Sequence, residues 1–456
     1  MGAGASADIG KKVEDASLDD LKGVFSELTA DQQAKIRSAV SGGSAIDKVL
    51  ARAGGGKPTI CVCGGGNASH VYMSLFASRG YEVNVFADFG DEAEKLTKAK
   101  EEFGGITIND RRDPDNIKEI FGKVNLISKD PAEIFPKCDI IFLSLPSFAF
   151  KPILEKMKPH VRDGTIIYYL PGQGGADFIM RKECAAELDA GKITFCGVMP
   201  MPFNCRIKEY GKLVDLAAFK NAYDLAAFPG RDGDKCGKLL SDILDKPVNV
   251  GGNMAALHLL GANPNIHPAR VVGLWEDWDG KTPYPENPLF YETWDDKSAE
   301  LAEGISNERC GIWCEIVKRS GAGKDTDVKQ LKEYIFQCYG KQIADPSTTK
   351  GVFSTNNGYK GFRCPMKEVE GGFVPDFKNR YFSEDFPDSF AIYKGLADLI
   401  DYSTPTIDRC FLWAQPYMEK EYVTGEVGKA KLDGKDAMST KAPQAFGFTT
   451  LEAFLG

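Results

Sequence analysis

The chain has 456 residues, 43% of them hydrophobic and 27% charged, a composition that supports packed cores and excludes a mostly disordered protein. Acidic residues outnumber basic ones by 65 to 56, which argues against a general nucleic-acid binder because phosphates need a basic surface. No apolar run reaches the roughly 18 residues of a membrane-spanning helix, and the start of the chain lacks the apolar core of a secretory signal. Without such a signal, the 12 cysteines are expected to be reduced thiols of a cytoplasmic protein. Cys61 and Cys63 are two residues apart but lack the turn that zinc-binding pairs use, and no metal site is expected.

Residues 1–56 differ from the rest and are predicted to form an extension outside the catalytic core. Residues 1–6 fit the N-myristoylation pattern with Gly2 as acceptor, and one acyl chain would give weak, reversible membrane attachment. An unmodified N-terminus is the alternative, so peripheral membrane attachment stays open. Two short amphipathic helices are predicted between residues 18 and 40, followed by a third short segment between residues 44 and 54.

Between residues 57 and 252, strand patterns alternate with helical ones. Strands are predicted at 59–63, 82–87, 124–127, 138–145, 165–170 and 193–198, and helices at 70–79, 91–102 and 152–157. This alternation is typical of a doubly wound, mainly parallel α/β sheet.

From residue 253 onward the strand patterns fade. Helices are predicted at 253–260, 299–320, 327–339, 390–402 and 406–419. The chain is therefore expected to divide into a dinucleotide-binding domain at 57–252 and a mainly helical domain at 253–456.

A glycine-rich turn follows the first predicted strand and opens a helix. Gly64 can make the tight turn, and Gly66 lets the backbone approach a pyrophosphate that the helix N-terminus attracts. Asn67 and Ala68 begin the helix, and Ser69, which is small enough for close packing, stands where the pattern usually has Gly or Ala. This context predicts a dinucleotide site. The alternative is a glycine-rich turn that binds nothing.

Three further turns are expected at the same edge of the sheet. Asp88 ends the second strand about 20 residues after the glycines, where a carboxylate can bind the adenosine ribose and repel a 2′-phosphate. That favours NAD over NADP, although a solvated loop carboxylate is the alternative. Leu145 and Pro146 end the most apolar strand and are expected to form a wall of the cofactor cleft. Gln173 lies in the glycine-rich turn after the next strand, where the backbone can approach a nicotinamide or a substrate.

Reduction of a carbonyl or imine needs a nearby proton donor, and histidine is the usual one. His70 belongs to the glycine-turn helix, His160 lies in a charged loop, and His258 lies in an apolar helical run that is typical of a core histidine. His267 stands at the start of the helical half, followed by Pro268, which suits the first turn of a helix. We therefore expect His267 to be the catalytic candidate.

The stretch 375–385 carries a second set of chemical groups. Arg380 can bind a carboxylate in bidentate fashion, and Asp385 can orient an imidazole. The alternative is a charged loop that leads into a helix.

From residue 58 onward the chain resembles the octopine/nopaline dehydrogenase family, and its invertebrate octopine and tauropine dehydrogenases in particular. The matching segments run in order along the chain: 61–67, 205–209, 278–281, 288–291, 359–361, 375–385 and 413–415. The extension before residue 58 is not typical of the family.

The resemblance implies a Rossmann domain joined to a helical domain, with the active site between them. It also implies NADH-dependent condensation of an amino acid with a 2-keto acid, usually pyruvate, to an opine. In this resemblance His267 is the catalytic histidine and Asp385 its partner, Arg380 meets the amino-acid substrate, and Gln173 and Cys205 line the keto-acid side. A monomer is implied.

The chain departs from the family pattern in two places. Residues 199–202 replace a segment with a threonine, which puts the keto-acid contacts there in doubt. Tyr334 stands where we expect a tryptophan in arginine-using enzymes, so arginine as the amino substrate is in doubt. Two alternatives stay open, a 2-hydroxy-acid or ketopantoate-type reductase and a non-catalytic NAD-binding module.

Overall fold

The computed structural model describes residues 44–113, 115–251, 253–321 and 326–455. Gly2 and the helices predicted between residues 18 and 40 lie outside this part of the chain. The third predicted segment of the extension is a helix, α1 (Ala45–Ala53). Its buried apolar face packs on the main sheet, and its Arg52 Nε lies 2.9 Å from Asp139 Oδ1, just before a central strand.

The strands of the first half form two sheets. They are β1 (Ile60–Cys63), β2 (Val83–Phe86), β3 (Ile106–Asp110), β4 (Lys118–Gly122), β5 (Ile127–Ser128), β6 (Ile140–Leu143), β7 (Thr165–Tyr169), β8 (Ile193–Met199), β9 (Phe203–Glu209), β10 (Leu213–Phe219), β11 (Tyr223–Phe228) and β12 (Val248–Val250). A small hairpin, β13 (Met366–Val369) and β14 (Gly372–Pro375), follows in the second half.

The larger sheet has the order β12-β11-β8-β7-β6-β1-β2-β5. Its neighbours pair in parallel except for β8 and β11. The central strands β1, β6 and β7 are buried along their whole length, as expected where helices cover both faces of a sheet. The predicted doubly wound fold is confirmed.

The second sheet, with the order β4-β3-β10-β9, was not predicted. Its strands alternate buried and exposed positions, as in β3 and β9, so they lack the continuous apolar runs of the main sheet. This sheet packs on the glycine-turn helix. The strand predicted at 124–127 begins only at Ile127.

The helices of the first half surround the main sheet. They are α2 (Asn67–Ser78), α3 (Glu92–Phe103), α4 (Pro131–Ile134), α5 (Ser147–Met157), α6 (Ala176–Glu183), α7 (Ala185–Asp189) and α8 (Gly233–Leu244).

The second half is mainly helical, as predicted. Its helices are α9 (Met254–Leu259), α10 (Asn263–Trp275), α11 (Asp296–Ser320), α12 (Leu331–Tyr339), α13 (Thr349–Ser354), α14 (Arg380–Ser383), α15 (Ala391–Leu399), α16 (Pro405–Tyr417) and α17 (Leu451–Leu455), with a π-helical segment, Asp385–Phe390, between α14 and α15. None of the helices in the described ranges is long and apolar enough to cross a membrane.

Helix α10 begins earlier than the sequence suggested. Pro268 was expected in its first turn, but the helix starts at Asn263, Pro264 occupies the first turn, and Pro268 lies inside the helix. A proline at the first turn replaces an N–H that would have no partner in the helix anyway. His267 therefore stands in the second turn, close to the end of α10 that follows α9.

Candidate active site

The glycine turn after β1 opens onto a cleft of about 500 Å³. Gly64 has a φ of +84°, a left-handed conformation that favours glycine. Gly66 caps α2 without a side-chain hydrogen bond to the helix end, and a Cβ there would meet open space. The N–H groups at this helix end are thus positioned for an anion.

Six of the residues predicted to bind the cofactor line this cleft: Gly64, Gly66, Ser69, Asp88, Leu145 and Pro146. Asn67 is not among the residues that line the cleft. Its Oδ1 accepts a hydrogen bond from the Ile207 N–H at 2.8 Å and so joins α2 to β9. Ala68 packs against the core between α2 and the second sheet.

The sequence did not predict several other residues of the cleft, among them two aromatic and two charged side chains. Phe89 and Phe148 both line it and are 77% and 72% exposed. Lys156 forms an ion pair with Asp88. Glu92 accepts the Gly65 N–H at 2.9 Å, and burial raises the pKa of this carboxyl above its ordinary value. They escaped prediction because they follow no motif and lie on separate turns and helices.

The start of α2 can hold the pyrophosphate of a dinucleotide, because Gly66 leaves open space in front of it. A Cβ on Gly65 would lie 2.1 Å from the Tyr210 hydroxyl oxygen, so the absence of a side chain lets the turn pack closely against its surroundings. His70 supports the turn from within, because its Nδ1 contacts the Gly66 carbonyl at 3.0 Å and its Nε2 accepts the Gly211 N–H at 2.9 Å. With both ring nitrogens engaged, His70 holds the turn in shape.

The second half supplies a histidine–carboxylate pair. His267 Nδ1 lies 2.6 Å from Asp385 Oδ2, and the two side chains are 7% and 15% exposed. The Tyr381 ring stacks on the imidazole with centroids 3.8 Å apart, and Phe290 contacts it edge-on. The structure thus brings together the two residues predicted to act as a pair. Tyr381 was missed, although it lies inside the stretch 375–385.

Arg380 begins α14 ahead of Asp385. Its side chain is 68% exposed, and its guanidinium lies 3.5 Å from the Glu384 carboxylate. Such a long, solvated ion pair contributes little, so the guanidinium can exchange this partner for a ligand carboxylate.

The turn after β7 joins the two halves. Gln173 Oε1 is buried without a hydrogen-bond partner, and a Cβ on Gly261, just before α10, would lie 2.1 Å from it. A Cβ on Gly174 would lie 3.9 Å from Ser389 Oγ in the π-helical segment that begins with Asp385. Both elements that carry the histidine pair therefore meet the carboxyl end of β7, next to the cleft.

Of the other two predicted substrate residues, Cys205 is buried and Tyr334 is half-buried. Cys205 on β9 is 4% exposed in the core with Tyr72, and burial raises the pKa of its thiol to about 11. Tyr334 on α12 lies close to Cys338 and Tyr339, and burial raises the pKa of its hydroxyl. Their contact with a substrate stays a prediction.

Comparison with known proteins gives the family of this chain. A family model described as "NAD/NADP octopine/nopaline dehydrogenase, alpha-helical domain" matches residues 250–418. Tauropine dehydrogenase of Arabella iricolor is 34% identical over 407 residues, which cover 87% of this chain and 99% of that relative. The chain belongs to the octopine/nopaline dehydrogenase family. The resemblance drawn from the sequence is confirmed.

Solved structures extend the family relation to the fold. A structure of octopine dehydrogenase with NADH and L-arginine has a TM-score of 0.77 and 32% identity, covering 88% of this chain and 98% of that one. A structure of octopine dehydrogenase with NADH and pyruvate has a TM-score of 0.75 and 31% identity over the same shares. The chain is an NAD-dependent oxidoreductase of the opine dehydrogenase type, which condenses an amino acid with a 2-keto acid reductively.

Proposed function

We propose that this enzyme makes an opine from pyruvate and an amino acid at a crevice between the glycine-turn cleft and the His267–Asp385 pair. The observation that carries the proposal is the 2.6 Å contact of that pair, on elements that touch the turn after β7. Pyruvate is supported by the octopine dehydrogenase structure that contains it. The relatives differ in their amino acid, since one is named for tauropine and another holds L-arginine.

In the proposed mechanism, NADH supplies the hydride when bound. Asp385 accepts the Nδ1–H of His267, which fixes the tautomer and leaves Nε2 to exchange a proton with the substrate. Asp385 also stabilises the imidazolium that donates this proton during condensation. Tyr381 covers one face of the ring and limits its rotation.

We assign Arg380 to the carboxylate of the amino acid, because its guanidinium is exposed and weakly paired. Gln173 would accept a hydrogen bond from the reacting amine or hydroxyl through its unpartnered Oε1. Cys205 and Tyr334 would shape the pocket from behind, the first on the keto-acid side and the second on the amino-acid side.

We also propose that NAD is preferred over NADP. Asp88 stands at the end of β2 in the cleft, where a carboxylate binds the ribose hydroxyls and repels a 2′-phosphate. Its ion pair with Lys156 reduces that repulsion, which makes the preference a matter of degree. Comparing kcat/KM for NADH and NADPH tests it, since equal values would contradict the assignment.

The remaining proposals concern organisation. The division at 252/253 is supported by Asn253, whose side chain caps α9 at the start of the helical half. We expect a cytoplasmic monomer, with reversible membrane attachment through a myristoylated Gly2 as an open alternative. Mass spectrometry of the native N-terminus decides the acyl group.

The test of the function is NADH oxidation with pyruvate plus arginine, taurine, glycine, alanine or β-alanine. We expect turnover that requires both an amine and the keto acid. Turnover with the keto acid alone would instead favour the hydroxy-acid reductase. Tight NADH binding without turnover of any pair would favour the non-catalytic module.

A further inference from the structure

A second histidine–carboxylate pair lies outside the candidate active site. His258 Nε2 is 2.7 Å from Asp177 Oδ1, and each side chain is only 2% exposed. The His258 ring packs on Phe178 with centroids 5.0 Å apart. The proposed mechanism uses neither residue of this pair.

The pair joins the two halves of the protein next to the turn that follows β7. Asp177 is the second residue of α6, which starts directly after the glycine-rich turn that holds Gln173. His258 is on α9, which packs on β8 and β11 of the main sheet and on α11 and α15 of the helical half. A bond between these two side chains therefore fixes α9 relative to the turn after β7.

The connection from α9 to α10 is held from the other side as well. Arg309 on α11 donates to the Leu259 carbonyl at 2.7 Å, and Tyr393 on α15 donates to the Gly261 carbonyl at 2.8 Å. Gly261 in turn lies against Gln173. The first turns of α10, which carry His267, are thus positioned by contacts to both halves.

The pair is costly as a core element. The second atoms of both groups, His258 Nδ1 and Asp177 Oδ2, are buried without a hydrogen-bond partner. Apolar side chains of similar volume would serve a core at least as well, whereas a buried polar pair contributes a defined geometry. His258 contacts Asp177 and Phe178 and not the catalytic candidates His267 and Asp385, so we assign the pair an effect on position.

We propose that Asp177 and His258 form a positioning pair that holds the α9–α10 connection in place. Through this connection the pair fixes His267 relative to Gln173 and the carboxyl end of β7. This inference rests on the proposed function for its catalytic consequence. Its structural consequence, an ordered α9–α10 connection, does not depend on the substrate.

The test compares His258→Leu with His258→Gln, whose amide nitrogen can donate to Asp177 in place of Nε2. We expect His258→Leu to lower kcat at least 10-fold while the Kd for NADH stays within twofold, because the glycine turn is untouched. His258→Gln should recover kcat to within threefold of the wild type. The proposal is overturned if the two variants lose kcat equally, or if kcat and NADH affinity fall in parallel.

A matched pair of variants distinguishes an effect on the position of the α9–α10 connection from a general loss of stability. Asp177→Ala and Asp232→Ala each remove a buried carboxylate of the first half, and Asp232 binds Thr194 on β8 instead of joining the halves. We expect kcat to fall at least 10-fold only in Asp177→Ala. Equal kcat in these two variants would refute the pair's role.

Amide hydrogen exchange provides a readout without catalysis. In His258→Leu the peptide covering residues 254–266 should exchange faster than in the wild type, while β1 and α2 stay protected. Unchanged exchange would overturn the inference even if the wild type turned over every substrate. A wild type without any turnover, combined with faster exchange in the variant, would overturn the proposed function and leave the pair supported.

Discussion

Two histidine–carboxylate pairs lie on elements next to the turn after β7, and they differ in exposure. The His267–Asp385 contact is 2.6 Å long and the His258–Asp177 contact 2.7 Å, so geometry alone does not distinguish them. The first pair keeps 7% and 15% of its side chains exposed and the second 2% each. A group that exchanges protons with a substrate must be reached by it, whereas a positioning pair gains from being sealed. We therefore assign proton exchange to the more exposed pair and positioning to the sealed pair.

The largest expected effect is at the accessible pair. His267→Ala removes the proton donor, and general acid–base catalysis contributes about 10² to 10⁴ in rate, so we expect kcat to fall about 1000-fold. NADH affinity should stay unchanged, because His267 is not among the residues that line the glycine-turn cleft. Steady-state kinetics and NADH titration measure both. His160→Ala, in a loop outside the crevice, is the control, and a His267→Ala enzyme within 10-fold of the wild type would remove His267 from the mechanism.

A smaller effect is expected at Gly261, between the helix that carries His258 and the helix that carries His267. In Gly261→Ala the added Cβ would lie 2.1 Å from Gln173 Oε1, so the turn or α10 must shift, and small misplacements in an active site are costly. We expect kcat/KM for pyruvate to fall about 10-fold. Gly230→Ala is a suitable control, since a Cβ there meets nothing. An unchanged kcat/KM in Gly261→Ala would show that the contact between the halves does not matter for catalysis.

The third prediction concerns the glycine-turn cleft, where the Glu92 carboxylate competes with the bound cofactor. Glu92 holds the Gly65 N–H that faces the cleft, and its charge would repel a pyrophosphate. Glu92→Gln removes that charge, so we expect the Kd for NADH to fall about threefold, as for one weakly screened charge. Glu94 lies on the same helix and its side chain is 62% exposed, so Glu94→Gln should leave the Kd for NADH unchanged.

The same residue predicts a pH dependence of binding. Burial raises the pKa of Glu92, so its carboxyl stays neutral to a higher pH than an ordinary glutamate. NADH affinity of the wild type should therefore fall as pH rises through this pKa, and this slope should be absent from Glu92→Gln. An identical slope in both proteins would contradict the role of Glu92.

The regions of the molecule also differ in how well the sequence predicted them. The central strands were predicted closely, because β1, β6 and β7 are continuous apolar runs bounded by turn residues. The second sheet was missed because its two hairpins, β3–β4 and β9–β10, carry charged, exposed positions instead of continuous apolar runs. Only the long-range pairing of β3 with β10 joins the hairpins into one sheet, and periodicity carries no information about such partners. The start of α10 was misplaced because Pro264 and Pro268 both suit a first turn.

The candidate site was predictable where a motif carries the chemistry. The glycine turn, the His267–Pro268 step and the stretch 375–385 have local signatures, so Gly64, Gly66, His267 and Asp385 could be named. The role proposed for His258 could not be predicted. A histidine in an apolar helical run looks the same in the sequence whether it only fills the core or positions a neighbouring element. Its partner Asp177 is brought beside it only by the packing of α9 on the sheet.

The smallest effect is expected at the far end of α10. Glu276 follows this helix and binds Arg409 on α16 at 2.6 Å. The Arg409 guanidinium, with further help from Lys297, lowers the pKa of Glu276 to about 2. Because the pKa is lower in the folded state, the stabilisation is fully present above the ordinary value near 4.5 and is lost as pH falls through about 2. Glu276→Gln should therefore lower the free energy of unfolding at pH 7 by about 1 kcal/mol, since the partly exposed guanidinium is screened by water.

Urea unfolding of the wild type and Glu276→Gln at pH 7, 5 and 3.5 measures this difference. The gap between the two proteins should shrink as pH falls below the ordinary glutamate range, while kcat stays within twofold of the wild type at pH 7. The neighbouring Asp277→Asn is the control, because that side chain is 89% exposed and its ion pair should contribute nothing measurable. A gap that stays constant with pH would mean that Gln disturbs packing at the end of α10, and a loss of kcat would mean that this end helps to position His267 too.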